Sequence, residues 1–122
     1  MNWGYLFTSM EGRISRKTFW IGVVVLIIIS VIAEILDGLL HIPRILSSDT
    51  SAGIGVISGI VSLILIYPGI ALSGKRWHDR NKSAWWILIG IVPFIGWLWS
   101  LIETGFLRGT AGANRFGPDP LA

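Results

Sequence analysis

Three long stretches almost free of charge, residues 19–40, 54–73 and 84–102, constrain this chain more than any other feature. A bilayer core about 30 Å thick is crossed by roughly 20 apolar residues at a rise of about 1.5 Å per residue. Each stretch is of that order. Only 14% of the residues are charged and the mean hydropathy is +0.68, whereas soluble domains carry about 25% charged residues. Spans of this length leave too little chain for a further globular domain of usual size. The expected fold is therefore all-α: a single integral membrane helical bundle over residues 1–122, with about three transmembrane helices and short connections.

The first span, 19–40, is aliphatic and β-branched through residue 33, with Trp20 at its start. Glu34 and Asp37 follow, three residues apart and so on one helix face. About 15 residues separate Phe19 from Glu34, roughly 22 Å of helix, which puts this candidate intramembrane acidic pair near the far interface. His41, Arg44 and Arg108 are its candidate partners. Intramembrane carboxylates also mark ion paths. An alternative function is accordingly an oligomeric small-solute or ion pathway.

A polar connector, 41–53, leads to the second span, 54–73, where Gly55 and Gly59 form a small-xxx-small motif expected to pack helices closely. Pro68-Gly69 is expected to kink its end. The third span, 84–102, opens on Trp85-Trp86 and closes on Trp97 and Trp99, the aromatic belt of two interfaces. Gly90, Pro93 and Gly96 interrupt it. A kinked continuous helix is the favoured form, and a re-entrant hairpin of two short arms is the alternative.

Ahead of the spans, Trp3, Leu6, Phe7 and Met10 recur at helical spacing, so residues 1–18 are expected to form a short helix in the headgroup plane, with Ser15 or Thr18 capping the next one. Basic residues before an apolar run, followed by Val31-Ile32-Ala33, weakly resemble a secretory signal. Further spans follow, and the first is expected to be retained. With three crossings, Arg13, Arg16, Lys17, Lys75, Arg76, Arg80 and Lys82 share one side and Arg44, Arg108 and Arg115 the other. The Lys/Arg excess predicts a cytoplasmic amino terminus and a carboxyl terminus outside.

The chain has no cysteine, which excludes disulfides, thiolate metal sites and thiol catalysis. A formal charge of +3 and a pI of about 9.8 would suggest nucleic acid for a soluble domain. In a membrane chain the same charges set topology and touch anionic headgroups. The expected partners are thus the lipid bilayer and anionic phospholipid headgroups, with a membrane protein or a second copy of the chain as a further partner, and no nucleic acid. Residues 76–80 form a basic loop in which His78 and Asp79 could serve a membrane enzyme as an acid/base pair. Adjacent helical residues do not face each other, however, and no second histidine stands nearby to complete a metal site. A headgroup-binding loop is favoured. The Gly/Pro-rich tail, 103–122, turns at Gly112-Ala113-Asn114 and Gly117-Pro118-Asp119-Pro120, and is expected to be ordered against the bundle with Phe116 on an apolar surface. Its glycine spacing lacks the Lys-Ser/Thr ending of a phosphate loop. No catalytic residue, cofactor or metal ligand follows from these patterns. The leading expectation is a non-enzymatic accessory protein.

These segments together resemble a bacterial membrane family of unknown function, DUF805. The resemblance rests on Glu11-Gly12-Arg13-Ile14-Ser15-Arg16-Lys17-Thr18-Phe19-Trp20, Lys75-Arg76-Trp77-His78-Asp79, Ser83-Ala84-Trp85-Trp86 and the run from Gly112 to Pro120. It covers nearly the whole chain in order. Trp77 departs from the family's small aliphatic residue, and Asn81 and Ala84 stand near family glycines. The resemblance implies a small multi-pass protein of the bacterial inner membrane with no established activity, substrate or cofactor. It also implies that Arg13, Arg16, Arg76, His78, Asp79, Asn114 and Asp119 match the family's polar positions, as a structural network at one membrane face or a binding site.

Overall fold

A computed structural model describes residues 2–40 and 55–121. The polar connector lies outside them, including His41 and Arg44 as candidate partners of the acidic pair, as does the expected start of the second span at Ile54. The described residues are helical apart from turns and one isolated bridge, Asn114 with Gly117. They fall into two compact units, Met1–Val23 with Tyr67–Ala122, and Val24–Ile66.

Two helices are long and apolar enough to cross a bilayer, α2 (Arg16–Leu39) and α3 (Val56–Asp79). Only 17% of the most apolar window of each is buried within the protein. A soluble core helix hides its apolar surface from water. These two leave Ile27, Ile28, Ile32, Leu63 and Ile64 more than half exposed, as lipid-facing residues are. Ser15 caps α2, its hydroxyl accepting the Thr18 amide at 3.3 Å.

Before α2 lies α1 (Trp3–Thr8), capped by the Asn2 side chain, which accepts the Tyr5 amide. It is shorter than the expected interfacial helix, and Met10 falls beyond it: the chain is extended at Ser9, turns at Gly12 with φ +91° and reaches α2. α3 runs past the expected end at residue 73. Pro68 lies inside it and the helix continues, so that residues 76–79 form its last turn in place of a loop. The charged side chains there need no water, because each finds hydrogen-bond partners within the protein.

Residues 84–102 are not a third continuous helix. Ser83 caps a 3-10 segment, Ala84–Ile91, which gives way at Pro93 and Phe94 to α4 (Ile95–Leu101) and a π turn, Ile102–Phe106. Phe94 has φ +61°, a region that a bulky side chain rarely occupies. Gly96 lies so close to the Ile89 carbonyl that a Cβ would collide with it. The segment therefore doubles back. The Trp86 and Trp99 rings, expected at two interfaces, lie 6.2 Å apart, and Trp86 also stacks on Trp77 at 5.8 Å.

In the second unit, Gly55 precedes α3 and faces the Asp37 carboxylate in place of a helix backbone. Asp37 accepts the amides of Ile57 at 2.9 Å and Ser58 at 2.8 Å, capping α3 from another helix. Gly59 donates its amide to the Gly55 carbonyl. In the first unit Gly22 lies so close to Leu72 that a Cβ would collide with it.

Candidate functional site

The first unit gathers charge where a protein interior normally excludes it. Arg13, Lys75, Arg76, His78, Asp79 and Glu103 are all buried, beside the apolar Leu6, Ile14, Phe19, Leu72 and Trp77. Burying an ion costs several kcal/mol unless opposite charge and hydrogen bonds compensate it.

Asp79 is the centre of that compensation. Its Oδ1 meets the Arg13 guanidinium at 2.9 Å and its Oδ2 pairs with Arg76, one helical turn earlier. The remaining guanidinium donors reach main-chain carbonyls. Arg13 donates to Thr110 at 2.6 Å, Gly112 at 2.7 Å and Gly117 at 3.2 Å. Arg76 donates to Thr104 at 2.5 Å, Leu107 at 2.7 Å and Ile14 at 3.2 Å. The carbonyls of Thr104 and Leu107 lie where a helix ends and lacks intrahelical donors. Arg76 supplies them from a distance. Gly109 has no side chain because a Cβ there would strike the Asp79 carboxylate.

The tail is held in the same way. Asn114 Nδ2 donates to the His78 carbonyl at 2.9 Å, and the Phe116 ring stacks on the His78 imidazole with centroids 4.0 Å apart. Phe116 thus anchors on an aromatic ring where an apolar surface was expected. Asp119 accepts the amides of Gly112 and Leu121, each at 2.9 Å. These backbone bonds hold its carboxyl below the usual carboxylate range. His78 Nδ1 lies 2.9 Å from the Gly12 carbonyl. His78 and Asp79 therefore address different partners, as neighbours on a helix must.

Of the seven polar positions singled out from the sequence, Arg13, Arg76, His78, Asp79, Asn114 and Asp119 converge here. Arg16 stands apart, exposed, donating to the Phe106 carbonyl at 2.8 Å. The contacts of Arg13 and Arg76 draw the amino-terminal segment, the end of α3 and the tail together. The carboxyl-terminal tail, expected across the membrane from the amino-terminal segment, packs against that segment in this unit. In the second unit Asp37 is buried and Glu34 exposed.

Three features escaped sequence reasoning. Glu103 is buried and accepts Lys82 at 2.6 Å and Arg80 at 3.3 Å. Burial pushes its carboxyl up, but the hydrogen bonds and charges of Lys82 and Arg80 outweigh that and hold it below the usual range. An acid at the end of an apolar run, with two cations about one-sixth of the chain away, was the available signal. Lys75 is buried, donates to the Ser9 carbonyl at 2.5 Å and lies 5.3 Å from the Tyr5 ring centre. Trp20 donates its indole N–H to Gly105 at 2.8 Å, and a tryptophan at a span's start gives no hint of that partner.

Residues 7–118 match the family described as Protein of unknown function (DUF805). The chain belongs to that family. It is 37% identical to the inner membrane protein YhaH of Escherichia coli strain K12 over 114 residues, covering 93% of this chain and 88% of YhaH. It is 31% identical to the inner membrane protein YhaI of the same strain, covering 93% and 87%. The uncharacterized protein YiiR of that strain is 29% identical over 136 residues, covering 91% and 85%. No solved structure matches the chain. Its long apolar helices and its relatives agree: this is a helical membrane protein of the DUF805 family.

Proposed function

We propose that this chain is a non-enzymatic accessory protein of the bacterial inner membrane that gathers anionic phospholipid at the cytoplasmic leaflet, with its amino-terminal segment and tail both on that side. One observation carries the reading. The first unit holds nine of the ten Lys/Arg residues against four of the seven carboxylates, a formal surplus of five positive charges. Lys and Arg accumulate on the cytoplasmic side, and each contributes about 1 kcal/mol of attraction to an anionic leaflet. The buried cations are occupied by the internal network, while Arg16, Lys17, Arg108 and Arg115 remain exposed. An acid/base reading of His78 and Asp79 gains no support from side chains that face apart. An ion pathway through Asp37 gains none from a carboxylate that caps α3.

Native mass spectrometry of the detergent-solubilised chain with added phosphatidylglycerol or phosphatidylcholine tests this reading. Phosphatidylglycerol is expected to bind at least tenfold more, with the preference shrinking in salt and in the variant Arg16→Gln/Lys17→Gln/Arg108→Gln/Arg115→Gln. Equal retention of both lipids sinks it.

A further inference from the structure

The doubled-back third segment leaves an apolar groove of about 430 Å³ lined by Ile95, Leu98, Trp99, Ile102, Glu103 and Leu107. That volume lies within the roughly 300–1,000 Å³ of typical ligand sites. Its walls are open to the outside: Ile95 and Leu98 are more than half exposed. One lining residue is charged. Glu103 carries both Lys82 and Arg80, so two cations and one carboxylate leave a formal charge of +1 at that end. Both basic side chains keep over a quarter of their surface accessible. Lys82 also lies 4.8 Å from the Trp86 ring centre, which fixes its ammonium beside the aromatic cluster. The π turn at Ile102–Phe106 forms part of the wall, and such turns recur at functional sites.

We infer that this groove binds one phospholipid with a monoanionic phosphodiester headgroup, an acyl chain lying along Leu98 and Ile102 and the phosphate meeting Lys82 and Arg80. Charge complementarity selects the occupant. A free acyl chain leaves the residual +1 unmatched, and a zwitterionic lipid brings its own cation to a cationic site. The inference rests on the anionic-lipid reading above, but it concerns a single discrete site in place of a diffuse surface attraction.

The test is native mass spectrometry of the whole chain with phosphatidylglycerol, dissociating lipids by increasing collision energy. The wild type is expected to keep one phosphatidylglycerol after all others have left, and to keep no phosphatidylcholine at that energy. Leu98→Trp fills the groove from an exposed position and is expected to reduce that last adduct at least tenfold, leaving the weaker phosphatidylglycerol adducts unchanged. Ile95→Trp repeats the test from another wall, and unchanged near-ultraviolet circular dichroism identifies whichever variant is folded. Retention of the last adduct in a folded groove-filled variant overturns the groove, as does an equally persistent phosphatidylcholine. Persistence of the weaker adducts in the fourfold surface variant counts against the surface reading and leaves the groove standing.

Discussion

Each unit buries an aspartate, and the two satisfy it differently. Asp79 pairs with two guanidiniums, which also hold carbonyls of the tail. Asp37 accepts two main-chain amides at the start of α3, where the helix dipole adds partial positive charge. Removing the charge of Asp79 strands whole cations in the interior. Removing that of Asp37 weakens a cap, because an amide keeps one accepting oxygen where the carboxylate has two. One residue type thus holds together a charged network in one place and a helix end in another. The two should differ severalfold in what they contribute.

The largest effect is expected for Asp79→Asn, which leaves Arg13 and Arg76 buried without a counter-charge and costs about 3–5 kcal/mol. Denaturant unfolding in detergent micelles measures the loss, and limited proteolysis is expected to cut first between residues 107 and 121. Gly109→Ala forces a methyl group into the Asp79 carboxylate and should cost about 1–3 kcal/mol by the same assay. Full stability in that variant would mean that the tail does not press on the network as described. Asp37→Asn, in the other unit, should cost about 1–2 kcal/mol, since asparagine keeps one of the two accepting oxygens and turns its NH2 toward the other amide. Hydrogen exchange at Ile57 and Ser58 is the local readout, with faster exchange there and unchanged proteolysis of the tail. Equal losses for Asp79→Asn and Asp37→Asn would erase the distinction between the two regions.

The smallest effect is a pH dependence. Glu103 and Asp119 both have carboxyl pKa values below the ordinary range. Their contribution is therefore complete above about pH 4.3 and is lost as pH falls through the lowered values. Thermal unfolding between pH 6 and pH 3 should show that decline, and Glu103→Gln should flatten its part.

How much of this was legible beforehand follows from the kind of signal each feature leaves. Run length and charge segregation identify α2 and most of α3, because lipid demands an apolar helix of fixed length. They misjudge the end of α3. Lys75, Arg76 and Asp79 look like a solvated loop until their partners, far along the chain at Ser9, Arg13, Thr104 and Leu107, are known. The turn at Pro93 was visible as a choice between kink and hairpin. Phe94 carries the reversal at a positive φ, and phenylalanine gives no sign of it in a sequence. Tryptophan pairs at both ends of an apolar run imply two interfaces for a straight helix and one for a doubled segment, so they could not decide. The site residues shared a resemblance to family positions, but that Arg16 would stand outside the network is a matter of three-dimensional placement. The Gly55–Gly59 motif signalled closeness without naming the neighbour, which is a carboxylate.

Arg13 and the carbonyl of Gly117 that it binds are separated by 104 positions. A ribosome delivers Arg13 long before Gly117 exists. The amino-terminal segment therefore waits through the synthesis and insertion of both long helices before its guanidinium can acquire its full set of partners. Assembly of this network is necessarily a late event in the protein's biogenesis. A chain interrupted within the tail reaches the membrane with its helices made and its first arginine short of its carbonyl partners.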